Sequence, residues 1–159
     1  LQPGDPILGS GPYGRFVLKE DPPCRYVLAA TGTGVTPYRS MLPQITALLE
    51  AGEHAVHLLL GVRRRDELLY GEEFLEFSKN HERFSFSACY SRELPAAPTD
   101  WEHHGYLQHR FEHLALDPDS DIVYLCGNPG MIDEAFALLK EAGFGIKQIR
   151  REKYLSARR

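Results

Sequence analysis

Tyr26-Val27-Leu28-Ala29-Ala30-Thr31-Gly32-Thr33-Gly34-Val35-Thr36-Pro37 is the stretch whose reading decides the fold. Its apolar first part suits a buried strand, and the two glycines after it let the backbone turn tightly and approach a ligand closely. Pro37 fits the first position of a helix, where its missing N–H costs nothing. Strand, glycine turn and helix start, in that order, offer free N–H groups and a positive dipole end to a pyrophosphate. This is a dinucleotide fingerprint with proline in place of the third glycine. The alternative is a plain tight turn.

Outward from this stretch, strand and helix signals alternate. Tyr38–Ala51 spaces Met41, Leu42, Ile45, Leu48 and Leu49 as a helix does, with Pro43 expected to kink its first turns and Gly52 to stop it. Ala55–Val62 reads as a second buried strand, Glu72–Asn80 as a helix and Phe84–Tyr90 as a third strand. Ser91–His104 reads as a loop and Tyr106–Leu114 as a short helix. Ile122–Cys126 is a fourth strand, Met131–Ala142 a helix closed by Gly143, and Ile146–Glu152 a fifth strand. Such alternation predicts an α/β fold, a doubly wound parallel five-stranded sheet covered on both faces. Upstream, Pro3-Gly4-Asp5-Pro6 and Gly9-Ser10-Gly11-Pro12-Tyr13-Gly14 are turn chemistry around short apolar pieces. They read as the last hairpin of a preceding β domain, joined by Asp21-Pro22-Pro23.

Composition narrows the function classes. A hydrophobic fraction of 43% with 25% charged residues is that of a globular domain, and a net charge of −4 gives no case for nucleic acid. No apolar run reaches the roughly 20 residues of a membrane span. Cys24, Cys89 and Cys126 are too few and too scattered for an iron–sulfur cluster or a metal knuckle, and they fit reduced thiols in the cytoplasm. The start at Leu1, with no initiator Met or signal-peptide pattern, reads as a trimmed end or as a domain cut from a longer chain. Positive charge gathers at Arg63-Arg64-Arg65 and between Lys147 and Arg159, as either a solvated surface or an anion site.

In a parallel sheet the ligand lies beyond the carboxyl ends of the strands, at the switch point. That rule nominates Thr31–Thr36, Arg63–Tyr70, Ser91–Arg92 and Gly127–Met131. It places Thr36, Gly127, Asn128 and Met131 among the cofactor-binding candidates, and the fingerprint adds Pro37. The Ser91 hydroxyl and the Arg92 guanidinium can hold a phosphate, the latter by a bidentate fork, or can be a solvated strand end. Cys126 can be part of a site or a small buried thiol.

The order of these pieces carries more than any one of them. Gly32-Thr33-Gly34-Val35-Thr36-Pro37, Gly61-Val62-Arg63 running on to Asp66–Phe74, Tyr90-Ser91-Arg92, Gly105-Tyr106-Leu107-Gln108, Tyr124–Met131 and Glu152-Lys153-Tyr154 resemble the ferredoxin–NADP reductase family in wording and in sequence. The resemblance covers nearly the whole chain. It implies a C-terminal NAD(P)-binding domain at 21–159, preceded at 1–20 by the remnant of a FAD-binding β-barrel.

The resemblance also implies roles. Gly32, Thr33 and Gly34 would line the pyrophosphate and nicotinamide path. Ser91 and Arg92 would hold the 2′-phosphate of NADP, Tyr106 would stack on the adenine, and Gln108 would lie beside it. His104 stands where plant-type members have a lysine, so the phosphate's cation falls to Arg92, with Arg63. Cys126, Glu152 and Tyr154 would stand near the nicotinamide and the flavin as the catalytic group. The barrel's Arg-x-Tyr-Ser motif does not occur, so the chain is expected to bind no FAD of its own. The implied partners are its own FAD-binding domain and a ferredoxin or flavodoxin carrier. An NADH-dependent reductase component feeding an oxygenase, or a non-catalytic nucleotide-sensing module, are the alternatives.

Overall fold

The computed structural model of the chain describes residues 2–10 and 14–154. Six strands form one sheet: β1 Arg25–Thr31, β2 Ala55–Val62, β3 Phe84–Tyr90, β4 Glu102–His104, β5 Asp121–Gly127 and β6 Ile149–Lys153. Their order is β4-β3-β2-β1-β5-β6, and every ladder is parallel. The chain steps outward from β1 to one edge, then returns to the centre and leaves on the other side. The switch point therefore lies between the carboxyl ends of β1 and β5.

Strand side chains alternate between two cores. Leu28, Leu58, Leu60 and Phe86 face one layer with Tyr38, Ile45 and Phe74, which come from α1 (Thr36–Ser40), α2 (Leu42–Glu50) and α3 (Gly71–Asn80). Val27, Ala29, Leu59 and Val123 face the other with Ile132, Ala135 and Leu139 of α4 (Pro129–Glu141) and with Leu107 and Phe111. Both faces are covered, as the near-continuous apolar strands require.

The sheet has six strands rather than five, because Glu102–His104 pairs with β3 inside the expected loop. Three polar residues give no apolar alternation, and the one that is buried is a carboxylate, Glu102, at 4% exposure. The expected helix at 38–51 is two helices that meet at Met41. Pro43 lies in the first turn of the second, and a proline inside one continuous helix would remove a hydrogen bond and clash with the turn before it. Pro37 is the second residue of α1, because a 3-10 turn, Gly32–Val35, intervenes after β1. Tyr106–Leu114 forms only a 3-10 turn at Leu107–Arg110, and β6 begins at Ile149 after another at Ile146–Gln148.

Gln2–Ser10 and Gly14–Glu20 contain no strand, so the expected hairpin is not formed by the described residues, and Gly11-Pro12-Tyr13 lies outside them. Two strands with no sheet to join are marginal by themselves. What anchors this segment is its far end. Leu18 is buried, Phe16 packs edge-on against Tyr124 at 5.5 Å, and the Lys19 N–H donates to the Tyr124 hydroxyl at 3.0 Å.

Candidate functional site

At the switch point the backbones of two loops touch. A Cβ on Gly34 would lie 2.5 Å from the Cys126 carbonyl oxygen, so only glycine lets the turn after β1 sit against the end of β5. Gly127 has φ +124°, and a Cβ there would meet the Thr31 hydroxyl oxygen at 2.4 Å. The Thr31 hydroxyl instead accepts the Asn128 N–H at 2.8 Å, and the Gly127 carbonyl accepts the Tyr154 N–H at 2.8 Å. The ends of β1, β5 and β6 are thus joined at one point.

A cleft of about 610 Å³ opens above this junction. Gly32, Thr33, Arg63, Ser91, Tyr106, Gln108, Gly127, Asn128, Met131 and Tyr154, all sequence candidates, line it together. They come from the ends of five strands and from the turn at 107–110. Other candidates do not line it. Gly34 and Cys126 are buried in its floor, and Thr36, Pro37, Arg92 and Glu152 stand outside its wall.

Two helix starts face the cleft, and they differ. In α4 the Asn128 side chain accepts from Gly130 N–H at 2.8 Å and Met131 N–H at 3.3 Å, so its first amides are satisfied internally. The turn Gly32–Val35 has no side-chain cap. Its N–H groups are the ones left for an anion.

Of the three arginines after β2, Arg64 pairs with Glu93 at 3.7 Å and Arg65 with Glu102 at 3.6 Å. Arg63 lines the cleft, and its guanidinium has no ion pair among the described residues. Tyr106 is 60% exposed and meets His109 edge-on at 5.9 Å, which leaves a flat ring available for stacking. Gln108 is 3% exposed; its Nε2 donates to Glu134 Oε2 at 2.7 Å, and its Oε1 has no partner among the described residues.

The buried Cys126 thiol is pushed up to about 12, chiefly by burial and further by the Glu152 charge, against the effect of the Tyr154 phenol. It is a neutral thiol at physiological pH, unfit as a nucleophile or metal ligand. Tyr154 is also raised to about 12, by burial first and then by Cys126 and Glu152. Neither exchanges protons near neutrality. Among the described residues no group of three His, Cys, Asp or Glu side chains can hold a metal.

Thr31, Glu67 and Glu134 also line the cleft. Thr31 and Glu67 sit inside nominated segments, but nothing in their residue types distinguishes them there. Glu134 reads as the outer face of a helix. Its signal is spacing, since it lies one helical turn beyond Met131.

The basic stretch from Lys147 forms no anion site with Arg150, Arg151 or Lys153. Arg150 is the second residue of β6, opposite Tyr124. It forms a fork on Asp21 at 2.5 and 2.6 Å and bonds the Tyr124 hydroxyl. Arg151 lies 3.8 Å over the Phe136 ring, and Lys153 pairs with Asp133 at 2.6 Å. These cations are spent on intramolecular partners, and Arg158 and Arg159 lie outside the described residues.

A parallel sheet wound both ways from its centre, with a glycine-floored cleft at the switch point, defines a nucleotide-binding α/β domain. The family model for the oxidoreductase NAD-binding domain matches residues 28–136. The chain belongs to that family, in the branch that includes the ferredoxin–NADP reductases. It is 30% identical to the toluate 1,2-dioxygenase electron transfer component of Pseudomonas putida, over 97% of this chain and 44% of that protein. It is 32% identical to ferredoxin–NADP reductase B of Sorangium cellulosum, over 97% and 64%. The flavohemoglobin of Malassezia yamatoensis superposes with a TM-score of 0.76 at 26% identity, over 92% of this chain and 36% of that one. The chain thus spans only part of the length of the proteins it resembles.

Proposed function

We propose that this chain is the NADP-binding part of a flavin-dependent reductase of the ferredoxin–NADP reductase type. The observation that carries the reading is the convergence, in one cleft, of an uncapped glycine turn, a guanidinium with no ion pair among the described residues and an exposed aromatic ring. This donor set fits a pyridine dinucleotide. The Gly32–Gly34 amides would take the pyrophosphate, Tyr106 would stack on the adenine, and Ser91 with Arg92 and Arg63 would hold the 2′-phosphate. Cys126, Glu152 and Tyr154, joined near the end of β5, would orient the nicotinamide end and keep water from it. The nucleotide supplies the ring that exchanges a hydride with FAD, and the FAD belongs to a flavin-binding domain of which residues 1–20 are the remnant. A ferredoxin or flavodoxin would take the electrons singly, in the cytoplasm.

One observation favours NADH instead. Two carboxylates, Glu67 and Glu134, share the cleft with a single guanidinium, and Arg92 stands outside its lining. An NADH-dependent reductase component feeding an oxygenase would suit that choice, and one relative is by name the electron transfer component of toluate 1,2-dioxygenase. Calorimetry with NADP and NAD separates the two readings. Arg92→Ala should weaken NADP binding by ~1.5–3 kcal/mol, the range for hydrogen bonds to charged groups, and leave NAD nearly unchanged. Equal losses for both nucleotides, or a loss seen only in Arg63→Ala, would remove Arg92 from the phosphate site.

A further inference from the structure

We propose that Glu102 is a positioning residue for the nucleotide cleft, acting from the short edge strand β4 without touching a ligand. The inference rests on the nucleotide reading above. Glu102 pairs in register with Ala88, and its side chain is wholly buried. Four donors converge on its carboxylate. The Tyr90 hydroxyl bonds Oε1 at 2.9 Å, the Thr99 N–H and hydroxyl bond Oε2 at 3.2 and 3.1 Å, and Arg65 reaches Oε1 at 3.6 Å.

Two of the donor residues, Tyr90 and Arg65, stand next to something the cleft uses. Tyr90 is the last residue of β3 and precedes Ser91. Arg65 opens the 3-10 turn that ends at Glu67, whose carboxylate accepts the Arg63 N–H at 3.3 Å. The same two loops are stitched to each other by Ser91 N–H on the Val62 carbonyl at 3.0 Å and by Arg92 N–H on the Arg63 carbonyl at 3.1 Å. Glu102 therefore fixes, from outside the cleft, the separation of Arg63 and Glu67 from Ser91. A carboxylate suits the place, because it accepts at both oxygens and carries the charge that pairs with Arg65. A glutamine would turn an amide N–H toward the Thr99 donors or toward the Tyr90 hydroxyl.

The test uses the whole chain as wild type, Glu102→Gln, Arg65→Ala and the double variant. Each is titrated by calorimetry with ADP-ribose carrying the 2′-phosphate that Ser91 and Arg63 are proposed to hold, and melted in urea. Both single variants should weaken ADP-ribose about three- to tenfold, a usual size for effects relayed through a network. The double variant should lose no more than Glu102→Gln alone, because Arg65 acts through the same carboxylate. A Glu102→Gln variant that melts earlier yet binds ADP-ribose like wild type would overturn the proposal, as would single losses that multiply in the double. If Glu102→Gln does not fold, the exposed Arg65→Ala decides alone, and an unchanged affinity overturns the inference. Wild-type chain that binds no ADP-ribose would overturn the nucleotide reading itself, and this inference with it.

Discussion

Nothing at Gly34 can yield to a side chain. The atoms that a methyl group would meet, the Cys126 carbonyl at 2.5 Å and the Gly127 Cα at 2.7 Å, are both backbone at the centre of the sheet. Overpacking of this kind costs about 1–3 kcal/mol. Gly34→Ala should lower the free energy of unfolding by that amount, read as a lower urea midpoint at unchanged slope, and should weaken nucleotide binding as the two loops part. A variant as stable as wild type would mean that the loops separate freely. The residues that carry such constraints were visible as glycines after strands, because glycine is chosen for what it lacks. Glu67 and Glu134 were not, since a carboxylate that faces a cleft and one that faces water are the same letter.

Among the elements, β2 and β3 occupy the residues that their apolar runs predict, Ala55–Val62 and Phe84–Tyr90, because burial on both faces leaves no other reading of such runs. β4 was illegible for the converse reason: its stability comes from a buried carboxylate and ladder bonds rather than from apolar alternation. β2 also contains a polar residue with a measurable consequence. His57 is lowered from 6.5 to about 4, by burial first and then by the charges of Arg25, Arg110 and His103. Between those values the unfolded chain binds a proton that the folded chain refuses. Stability should therefore fall as pH drops from 6.5 toward 4, by at most about 1.4 kcal/mol per unit from this residue. The depressed carboxyls of Asp21 and Glu102 act lower, since their contribution is lost only as pH falls through values beneath 3.8 and 4.5. Urea midpoints at several pH values should flatten in His57→Val, and an identical slope in both proteins would remove His57 as the source.

At the scale of the whole molecule, the cations of β6 are already paired, so the proposed carrier would have to dock on surfaces other than the described tail. Arg150 instead ties the linker at Asp21 to the sheet, so charge reversal there acts on stability before it acts on any partner. The strand order has a consequence for time as well as space. Arg25 and Ala55, partners in the β1–β2 ladder, are 30 residues apart, but Arg25 and Asp121, partners in the β1–β5 ladder, are 96 residues apart. Contacts of such separation are expected to form late, after the local crossovers have closed, because their loop-closure entropy is larger. The cleft straddles that ladder, so it does not exist until the last long-range closure is made. Saturating NADP should then slow unfolding and leave the refolding limb of the chevron where it was. A faster refolding limb would show that β1 and β5 are already paired at the barrier. With the late closure, a nucleotide is a witness to finished folding, never its template.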